Sequence, residues 1–326
     1  MQWTDRIGRR VRLRDLHMLM AVAQSGSIAK AAEQLAISHP VVSKTISELE
    51  HTLGVPLLDR SSRGVKPTIY GEALLQCGVA VFDEMRQGIK HVEFLADPTV
   101  GNLRFGCPEA MAAGFIPAVV ERFRQQYPDV VLDIINADMT LKYRELRGLD
   151  VEFLVGRIPM PFVGEDLVVE TLFEERLLVV AGIQSPWAGR RRVDLAELID
   201  KAWVLPPPDT VPGMLGMELF RATGLQCPLP KTVTLSIHLA CSLLATGTFL
   251  TLLPESLLRF SGKRLSLKPL SVELPLQQSA VGIITVKNRT LSPLAERFIG
   301  CAREVAKLVA GTRGRPMARG RKPNAS

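Results

Sequence analysis

The sequence has little of what most catalytic or disulfide-stabilised proteins need. It contains only five cysteines, at positions 77, 107, 227, 241 and 301, and no two of them form a CxxC pair. An odd number of widely spaced cysteines argues against a disulfide framework or a cysteine-rich zinc site. The five histidines show no metal-ligand spacing, and no GxGxxG, P-loop, HExxH or GxSxG motif occurs. We therefore expect no metal, no cofactor and no catalytic residues.

Features of membrane and exported proteins are also scarce. The first 15 residues are charged throughout and lack the apolar core of a signal peptide, so we expect a cytoplasmic protein. Residues 232–254 contain no Lys, Arg, Asp or Glu and are numerous enough to span a bilayer. This stretch nevertheless divides into a helical half (236–246) and a β-branched and aromatic half (248–253). We predict a buried helix followed by a buried strand, and no membrane partner.

The excess positive charge lies at the two ends of the chain. Residues 1–68 carry a net charge of +4 and residues 312–326 a net charge of +5, whereas residues 69–311 carry −2. A length of 326 residues suggests about two domains. A basic end module beside a near-neutral body is typical of a nucleic-acid-binding domain joined to another domain, because phosphate neutralisation supplies much non-specific affinity.

The N-terminal module has the pattern of a helix-turn-helix. Ser27 can cap one short helix, and Ser38 can cap the next, which has Pro40 in its first turn. The second of these helices would bury Val42, Ile46, Leu49 and Leu53. Its opposite face would present polar side chains and one cation, a composition suited to reading the major groove. The residues of that face are His39, Ser43, Lys44 and Ser47.

A basic hairpin is predicted directly after these helices. Arg60, Arg63 and Lys66 flank a Ser-Ser-Arg-Gly turn, as expected of a wing that touches backbone phosphates. Together, residues 16–75 resemble the winged helix-turn-helix of LysR-type transcriptional regulators. The matching residues are Ser27, Ala31, Ala32, Glu33, Leu35, Ser38, Val42, Ser43, Lys44, Leu49, Glu50, Leu53, Gly54, Leu57, Arg60, Pro67, Thr68 and Gly71.

This resemblance implies which residues meet DNA. The expected contacts, to a pseudo-palindromic double-stranded operator, come from Ser27, Ser38, His39, Pro40, Ser43, Lys44, Arg60 and Arg63. Three positions depart from the family pattern. His39 replaces a usual glutamine, Lys44 a common arginine and Leu58 a usual phenylalanine. Because histidine cannot make the bidentate amide contact to adenine, the base preference at His39 is open.

A proline-free stretch, residues 69–96, is predicted to form a long helix. Leu74, Val81 and Leu95 fall on one heptad phase, with Gly88 at the missing position. Either this helix pairs with a second copy or it packs on its own domain. The resemblance implies the former, as a linker helix in a homodimer or homotetramer, and it also implies RNA polymerase as a partner.

The rest of the chain alternates strand and helix patterns, which predicts parallel α/β sheets. The resemblance implies two α/β subdomains of the periplasmic-binding-protein type with a small-molecule effector between them. The predicted organisation is a winged helix-turn-helix over 1–68, a linker helix over 69–97, an effector-binding domain over 98–311 and a disordered basic tail over 312–326. That tail either adds non-specific DNA affinity or only aids solubility.

Matching positions indicate the wall of the effector pocket. The expected residues are Pro108, Glu109, Ala110, Met111, Asp138, Thr140, Asp209, Thr210, Ser236 and His238. Helix N-termini and hydroxyls of this kind hold small polar ligands. Ser236 and Thr210 could equally be helix caps. Ala110 stands where the family often has Ser or Thr, Gly213 stands where arginine is frequent, and Glu109 would repel a carboxylate unless it is paired or turned away.

Two other functions stay open at this point. The α/β body alone would suit a solute-binding protein, although the basic front module argues against that function. Alternatively, Cys107 and Cys227 could form a redox switch in a regulator that senses oxidants. Nothing in the sequence indicates a lowered thiol pKa at either cysteine.

Overall fold

The computed structural model describes residues 11–61, 64–136, 143, 146–158, 164–275 and 278–310. The chain divides into two compact units, Met1–Gly88 and Ile89–Ser326. Four parts of the sequence predictions lie outside the described residues: Arg63, Asp138, Thr140 and the basic tail.

The first unit contains three short helices, a hairpin and most of a long helix. The helices are α1 (Leu13–Ser25), α2 (Ile28–Gln34), α3 (His39–Leu53) and α4 (Ile69–Ala96), and the hairpin strands are β1 (Leu58–Ser61) and β2 (Gly64–Pro67). Ala31 and Ala32 are buried, and such small side chains let neighbouring helices approach closely. The Ser27 hydroxyl accepts a hydrogen bond from the Lys30 amide at 3.5 Å. Ser38 occupies the N-cap position of α3, but its side chain makes no capping bond.

Short polar contacts connect α3 to the hairpin and the long helix. One carboxylate oxygen of Glu50 accepts hydrogen bonds from the amides of Leu57 at 2.8 Å and Leu58 at 3.2 Å. The Thr68 hydroxyl donates to the Pro56 carbonyl at 2.7 Å and accepts from the Gly71 amide at 3.1 Å. These bonds position the antiparallel hairpin relative to the helix that carries the predicted reading face.

The second unit is built on two five-stranded sheets. Its strands are β3 (Val100–Cys107), β4 (Asp129–Asn136), β5 (Leu154–Arg157), β6 (Leu167–Glu175), β7 (Leu177–Gly182), β8 (Ala202–Leu205), β9 (Thr232–Val233), β10 (Phe249–Pro254), β11 (Leu267–Pro269) and β12 (Ser279–Val286). Its helices are α5 (Glu109–Ala113), α6 (Phe115–Arg124), α7 (Val211–Ala222), α8 (Ile237–Ala245), α9 (Glu255–Ser261) and α10 (Pro293–Ala310).

Sheet one has the strand order β4-β3-β5-β12-β6, and sheet two has the order β11-β7-β10-β8-β9. The chain passes from sheet one to sheet two at Arg176, between β6 and β7, and returns before β12. The β-α-β-α pattern predicted parallel sheets, but both sheets are mixed. The strands next to the crossings, β12 and β7, pair antiparallel with both of their neighbours. The prediction of two α/β subdomains joined by crossover segments is confirmed.

Each sheet has its own aromatic-rich core. In sheet one, Phe105 stacks on Phe153 at 5.0 Å between ring centroids, and Phe298 of α10 packs against Phe105. In sheet two, the fully buried Trp203 meets Phe220 of α7 edge-on, and its indole N–H donates to the Leu198 carbonyl at 2.7 Å. Because each sheet has its own core, these core side chains do not fill the space between the two sheets.

The uncharged stretch 232–254 contains β9, α8 and β10. The predicted order of helix and buried strand is confirmed, whereas α8 is only partly buried, with Leu239 42% exposed. Across the described parts of the chain, no helix is long and apolar enough to cross a membrane. Sequence patterns missed β6, β9, β11, α7 and α9.

The second unit holds the end of α4 by a buried ion pair. Lys90 Nζ lies 2.5 Å from Glu152 Oε1, and the other carboxylate oxygen accepts from the Ser292 amide at 3.0 Å. Glu152 is only 3% exposed. Because a buried carboxylate needs such partners, this contact attaches the last turns of α4 to sheet one and to the start of α10.

Two glycines of α4 provide a test of the packing in the first unit. A Cβ at Gly71 would lie 2.1 Å from the Leu57 carbonyl oxygen, whereas a Cβ at Gly88 would meet nothing within 4 Å. We expect Gly71→Ala to destabilise the protein by about 1–3 kcal/mol through overpacking. The matched change Gly88→Ala should stabilise it by about 0.5–1 kcal/mol, because alanine favours the helix. Urea unfolding of both variants measures this difference, and equal stabilities would contradict the described contact.

Candidate functional site

The exposed face of α3 carries most of the residues predicted to meet DNA. Ser38, His39, Pro40 and Lys44 are exposed, and Ser43 is half-buried. Lys44 Nζ lies 3.7 Å from Glu48 Oε1, so its charge is partly balanced on its own helix. The sequence predicted that this face has no large apolar residue. The prediction is wrong at Val41, which is 42% exposed beside the polar residues of the face.

Two arginines that the sequence reasoning missed lie near this face. Arg12 and Arg14, at the start of α1, line one groove with Lys44, Ser47 and His51 of α3. They precede the helix-turn-helix pattern, so their position against α3 depends on the packing of α1. In the sequence, the only indication of these two arginines was the high content of basic residues among the first 15.

The other residues that were predicted to contact DNA lie outside α3. Arg60 lies exposed on β1, opposite Val65 in the hairpin register, and Lys66 is exposed on β2. Ser27 is half-buried, and its hydroxyl serves as the α2 cap. The described wing therefore presents cations on both strands.

The second candidate site is a cavity of about 300 Å³ between the two sheets of the second unit. Pro108, Glu109, Ala110 and Met111, at the turn after β3, form part of its wall, as the sequence predicted. Ser236 lines it too, and its hydroxyl also accepts the Leu239 amide at 3.2 Å as the cap of α8.

Three predicted pocket residues, Asp209, Thr210 and His238, lie outside the described cavity wall. Thr210 is not part of the described cavity wall; its hydroxyl accepts from the Gly213 amide at 3.3 Å and donates to the Pro207 carbonyl at 2.6 Å, so it caps α7. The His238 ring is not part of that wall either, and the residue is exposed. Its backbone amide instead donates to Glu109 Oε1 at 3.3 Å.

The sequence left open whether the Glu109 carboxylate is paired or turned away from the cavity, and its contact with His238 shows that it has a partner. Glu109 starts α5 beside sheet one, and His238 lies in the first turn of α8 beside sheet two. A carboxylate is stabilised at a helix N-terminus by the unpaired amides there. Glu109 thus occupies a position where a ligand anion was expected, and it does so from the opposite subdomain.

The structure adds a buried ionic pair that sequence reasoning missed. Arg157 ends β5, Glu175 ends β6, and both line the cavity. Arg157 Nε lies 3.1 Å from Glu175 Oε1, with the two side chains 14% and 2% exposed. The second oxygen of Glu175 accepts from the hydroxyl of Ser256 at 2.5 Å and from its amide at 3.4 Å. No local motif signals this set, because its members are 18 and 81 residues apart.

Arg157 retains an unused donor. Its Nη2 is enclosed and has no hydrogen-bond partner among the residues that the structure describes. A buried donor without a partner destabilises the folded state by about 1–3 kcal/mol.

The backbone explains one departure from the family pattern. A Cβ at Gly213 would lie 2.0 Å from the Pro207 carbonyl oxygen, so no side chain fits there without a shift of the loop. The arginine that is frequent at this position is therefore excluded sterically.

The exposed Cys227 and the buried Cys241 of the second unit both have raised thiol pKa values. Burial raises the pKa of the Cys227 thiol. Burial first, and the negative charge of Glu109 second, raise the pKa of Cys241 to about 11. Within the described ranges, no group of three or more His, Cys, Asp or Glu side chains could hold a metal ion.

Comparisons with known proteins agree with this architecture. The family model "LysR substrate binding domain" matches residues 96–307, and "Bacterial regulatory helix-turn-helix protein, lysR family" matches residues 13–72. The chain is 28% identical to the transcriptional dual regulator GltC of Bacillus subtilis over 88% of this chain and 94% of that protein. It is 27% identical to YdcI, an uncharacterised HTH-type transcriptional regulator of Escherichia coli, over 93% and 99%.

A solved structure shows the same fold. A full-length OxyR from Pseudomonas aeruginosa, solved as a cysteine-to-aspartate variant, superposes with a TM-score of 0.62 at 20% identity, covering 95% of this chain and 99% of that one.

The ionic pair in the cavity wall yields a stability prediction. Glu175→Ala leaves the mostly buried Arg157 without its counter-ion, so we expect a loss of about 3–5 kcal/mol in the free energy of unfolding. The control is Glu170→Ala on the same strand, which breaks the exposed Arg303–Glu170 pair and should lose no more than about 1 kcal/mol. Urea unfolding followed by circular dichroism measures both; equal losses would contradict a structural role for Glu175.

Proposed function

The chain belongs to the LysR family of bacterial transcriptional regulators, a family of regulators and not of enzymes, and from this premise we propose how it acts. It binds a pseudo-palindromic operator as a homodimer or homotetramer. A small metabolite in the cavity between its two α/β subdomains controls its affinity for DNA or the bending of that DNA. The observation that carries this proposal is the pairing of an exposed, cationic α3 face in one unit with an enclosed, partly ionic cavity in the other.

The α3 face supplies the proposed base contacts. Ser38, His39, Pro40, Ser43 and Lys44 would enter the major groove, with Ser27 at its edge. The exposed methyl groups of Val41 suit the methyl group of thymine, an apolar contact that reads sequence. Arg60 and Arg63 would bind phosphates, which position the protein without reading sequence.

Two-fold pairing is supported by the surface of α4. Met85, Ile89, Val92 and Leu95 recur at helical spacing, and each is between 46% and 72% exposed. An apolar stripe of this kind is typical of a helix that pairs with another helix. A second copy of the chain is the proposed partner, and RNA polymerase is a further partner once the protein is on DNA.

The redox alternative has weaker support. Cys107 is fully buried, and the pKa of Cys227 is raised, whereas a peroxide-sensing thiol needs a lowered pKa and access to solvent. The solute-binding alternative leaves the helix-turn-helix without a role.

Footprinting on the intergenic DNA beside the gene, with a panel of small metabolites, tests the proposal. Protection of an inverted repeat that changes with one compound is the expected result. Tight metabolite binding without protection in any condition would instead favour a solute-binding protein.

Lys44 offers a test of base reading. Lys44→Ala should weaken binding to the specific operator by about 1–3 kcal/mol if Lys44 reaches a base edge, with little change on random DNA. Lys30→Ala, an exposed cation on α2, is the matched control and should leave the specificity ratio unchanged. Titrations by fluorescence anisotropy on both DNAs measure this ratio. An equal loss on both DNAs would assign Lys44 to phosphate contact alone.

Cys227 tests the redox alternative. We expect peroxide to leave operator affinity unchanged in the wild type and in Cys227→Ser alike, because the raised pKa of this exposed thiol disfavours the reactive thiolate. A peroxide response of the wild type that Cys227→Ser abolishes would overturn this expectation and support redox sensing. Anisotropy titrations before and after peroxide treatment measure it.

A further inference from the structure

The face of α3 that we propose enters the major groove carries an ion pair. Lys44 Nζ lies 3.7 Å from Oε1 of Glu48, which is one helical turn further along α3. The two side chains are 78% and 66% exposed, so neither is held in place by burial. In the free protein, the lysine that is proposed to read a base therefore has a carboxylate beside it.

Glu48 makes little contribution to the fold. Exposed ion pairs at this spacing stabilise a helix only slightly, and the order of Lys before Glu is weaker than the reverse order. The other acid in the same groove is different, since Asp15 Oδ2 accepts the Arg12 backbone amide at 3.2 Å at the start of α1. Among the described residues, the Glu48 carboxylate has no backbone contact of this kind, and its partner is Lys44. Its position is therefore better explained by what the face binds than by folding.

Glu48 also lowers the positive charge of the groove that it lines. With histidine counted as neutral, the described lining carries three cations and two acids, a net charge of +1. The cations are Arg12, Arg14 and Lys44, and the acids are Asp15 and Glu48. Because cations attract the DNA backbone whatever its sequence, a carboxylate on this surface weakens binding to every DNA.

Through Lys44, the carboxylate acts differently on random DNA and on the operator. On random DNA, the long and flexible lysine side chain gains free energy mainly by reaching a phosphate. A carboxylate 3.7 Å away competes for the ammonium group and repels that phosphate. At the operator, the acceptor atoms of a guanine edge take the place of Glu48, so the lost ion pair is replaced by a base contact.

We propose that Glu48 is a positioning residue that determines specificity: by holding the Lys44 ammonium group on α3, it reduces binding to random DNA more than binding to the operator. This inference rests on the proposed function, because it requires Lys44 to meet a base edge. A weak, exposed ion pair suits this role, since it is readily exchanged for a base contact. Penalising the wrong partner in this way is a general route to specificity.

Glu48→Gln tests this role, because it keeps the size of the side chain and removes its charge. Fluorescence anisotropy of the full chain over a range of salt concentrations gives affinities for random DNA and for the footprinted operator. Binding to random DNA should tighten at least about fivefold, with a salt slope steeper by about 0.9, the value for one further phosphate contact. Operator binding should tighten less, so the specificity ratio should fall at least about threefold.

Two further variants show where the effect arises. In a Lys44→Ala background, Glu48→Gln should change the affinity for both DNAs by the same factor, because only the repulsion of phosphates remains. Glu218→Gln, which removes an exposed acid on α7, is the matched control and should leave the ratio and the slope unchanged. A misfolded variant does not reproduce the expected result, since that result is a gain of affinity.

The outcomes separate this inference from the proposed function. An unchanged specificity ratio in Glu48→Gln, or a fall in the ratio that persists without Lys44, would overturn the role of Glu48. The proposed regulator stands in both cases if Lys44→Ala still weakens operator binding selectively. An equal loss on both DNAs in Lys44→Ala would remove Lys44 as a base reader, and the inference about Glu48 fails with it.

Discussion

Glu175 is a carboxylate buried at the point where the chain leaves one sheet for the other. Its partners come from both sides of that crossing: Arg157 from the end of a sheet-one strand, and Ser256 from the helix that follows a sheet-two strand. An ionised carboxylate in this position is stable only with all of these hydrogen bonds made. Glu175 therefore links the two subdomains at the cavity, together with the Ser261–Ala113 and His238–Glu109 hydrogen bonds.

A second constraint acts in the N-terminal unit, where packing determines what remains exposed. The apolar sides of the helices are buried in the core, and the Glu50 carboxylate accepts hydrogen bonds from two amides at the start of the hairpin. What is left outward on α3 is mainly polar, with Lys44 and the exposed Val41. A surface that is not used in the core is free to bind a partner, and the proposed base contacts lie on this one.

The two units differ in how they use charge. Exposed cations such as those of the N-terminal unit attract a polyanion such as DNA through water. The strength of this attraction depends on the number of cations and on the salt concentration. The cavity wall instead places three ionic side chains among mostly apolar ones, and two of them, Arg157 and Glu175, form a mostly buried pair. Within the second unit, the half-buried Lys90 near the end of α4 pairs with the buried Glu152.

Local pattern was sufficient for the helix-turn-helix, the hairpin, the long helix and most strands, since each depends on apolar spacing and on capping or turn residues within a few positions of one another. It also placed Glu109, Ala110, Met111 and Ser236 at the cavity, through the resemblance. The sequence by itself could not pair Arg157 with Glu175 and Ser256, direct Glu109 to the His238 amide, bring Arg12 and Arg14 to α3, or turn β12 antiparallel. These features join residues far apart in the chain, and only the packing of the two sheets and of α1 brings them within hydrogen-bonding distance or into one groove.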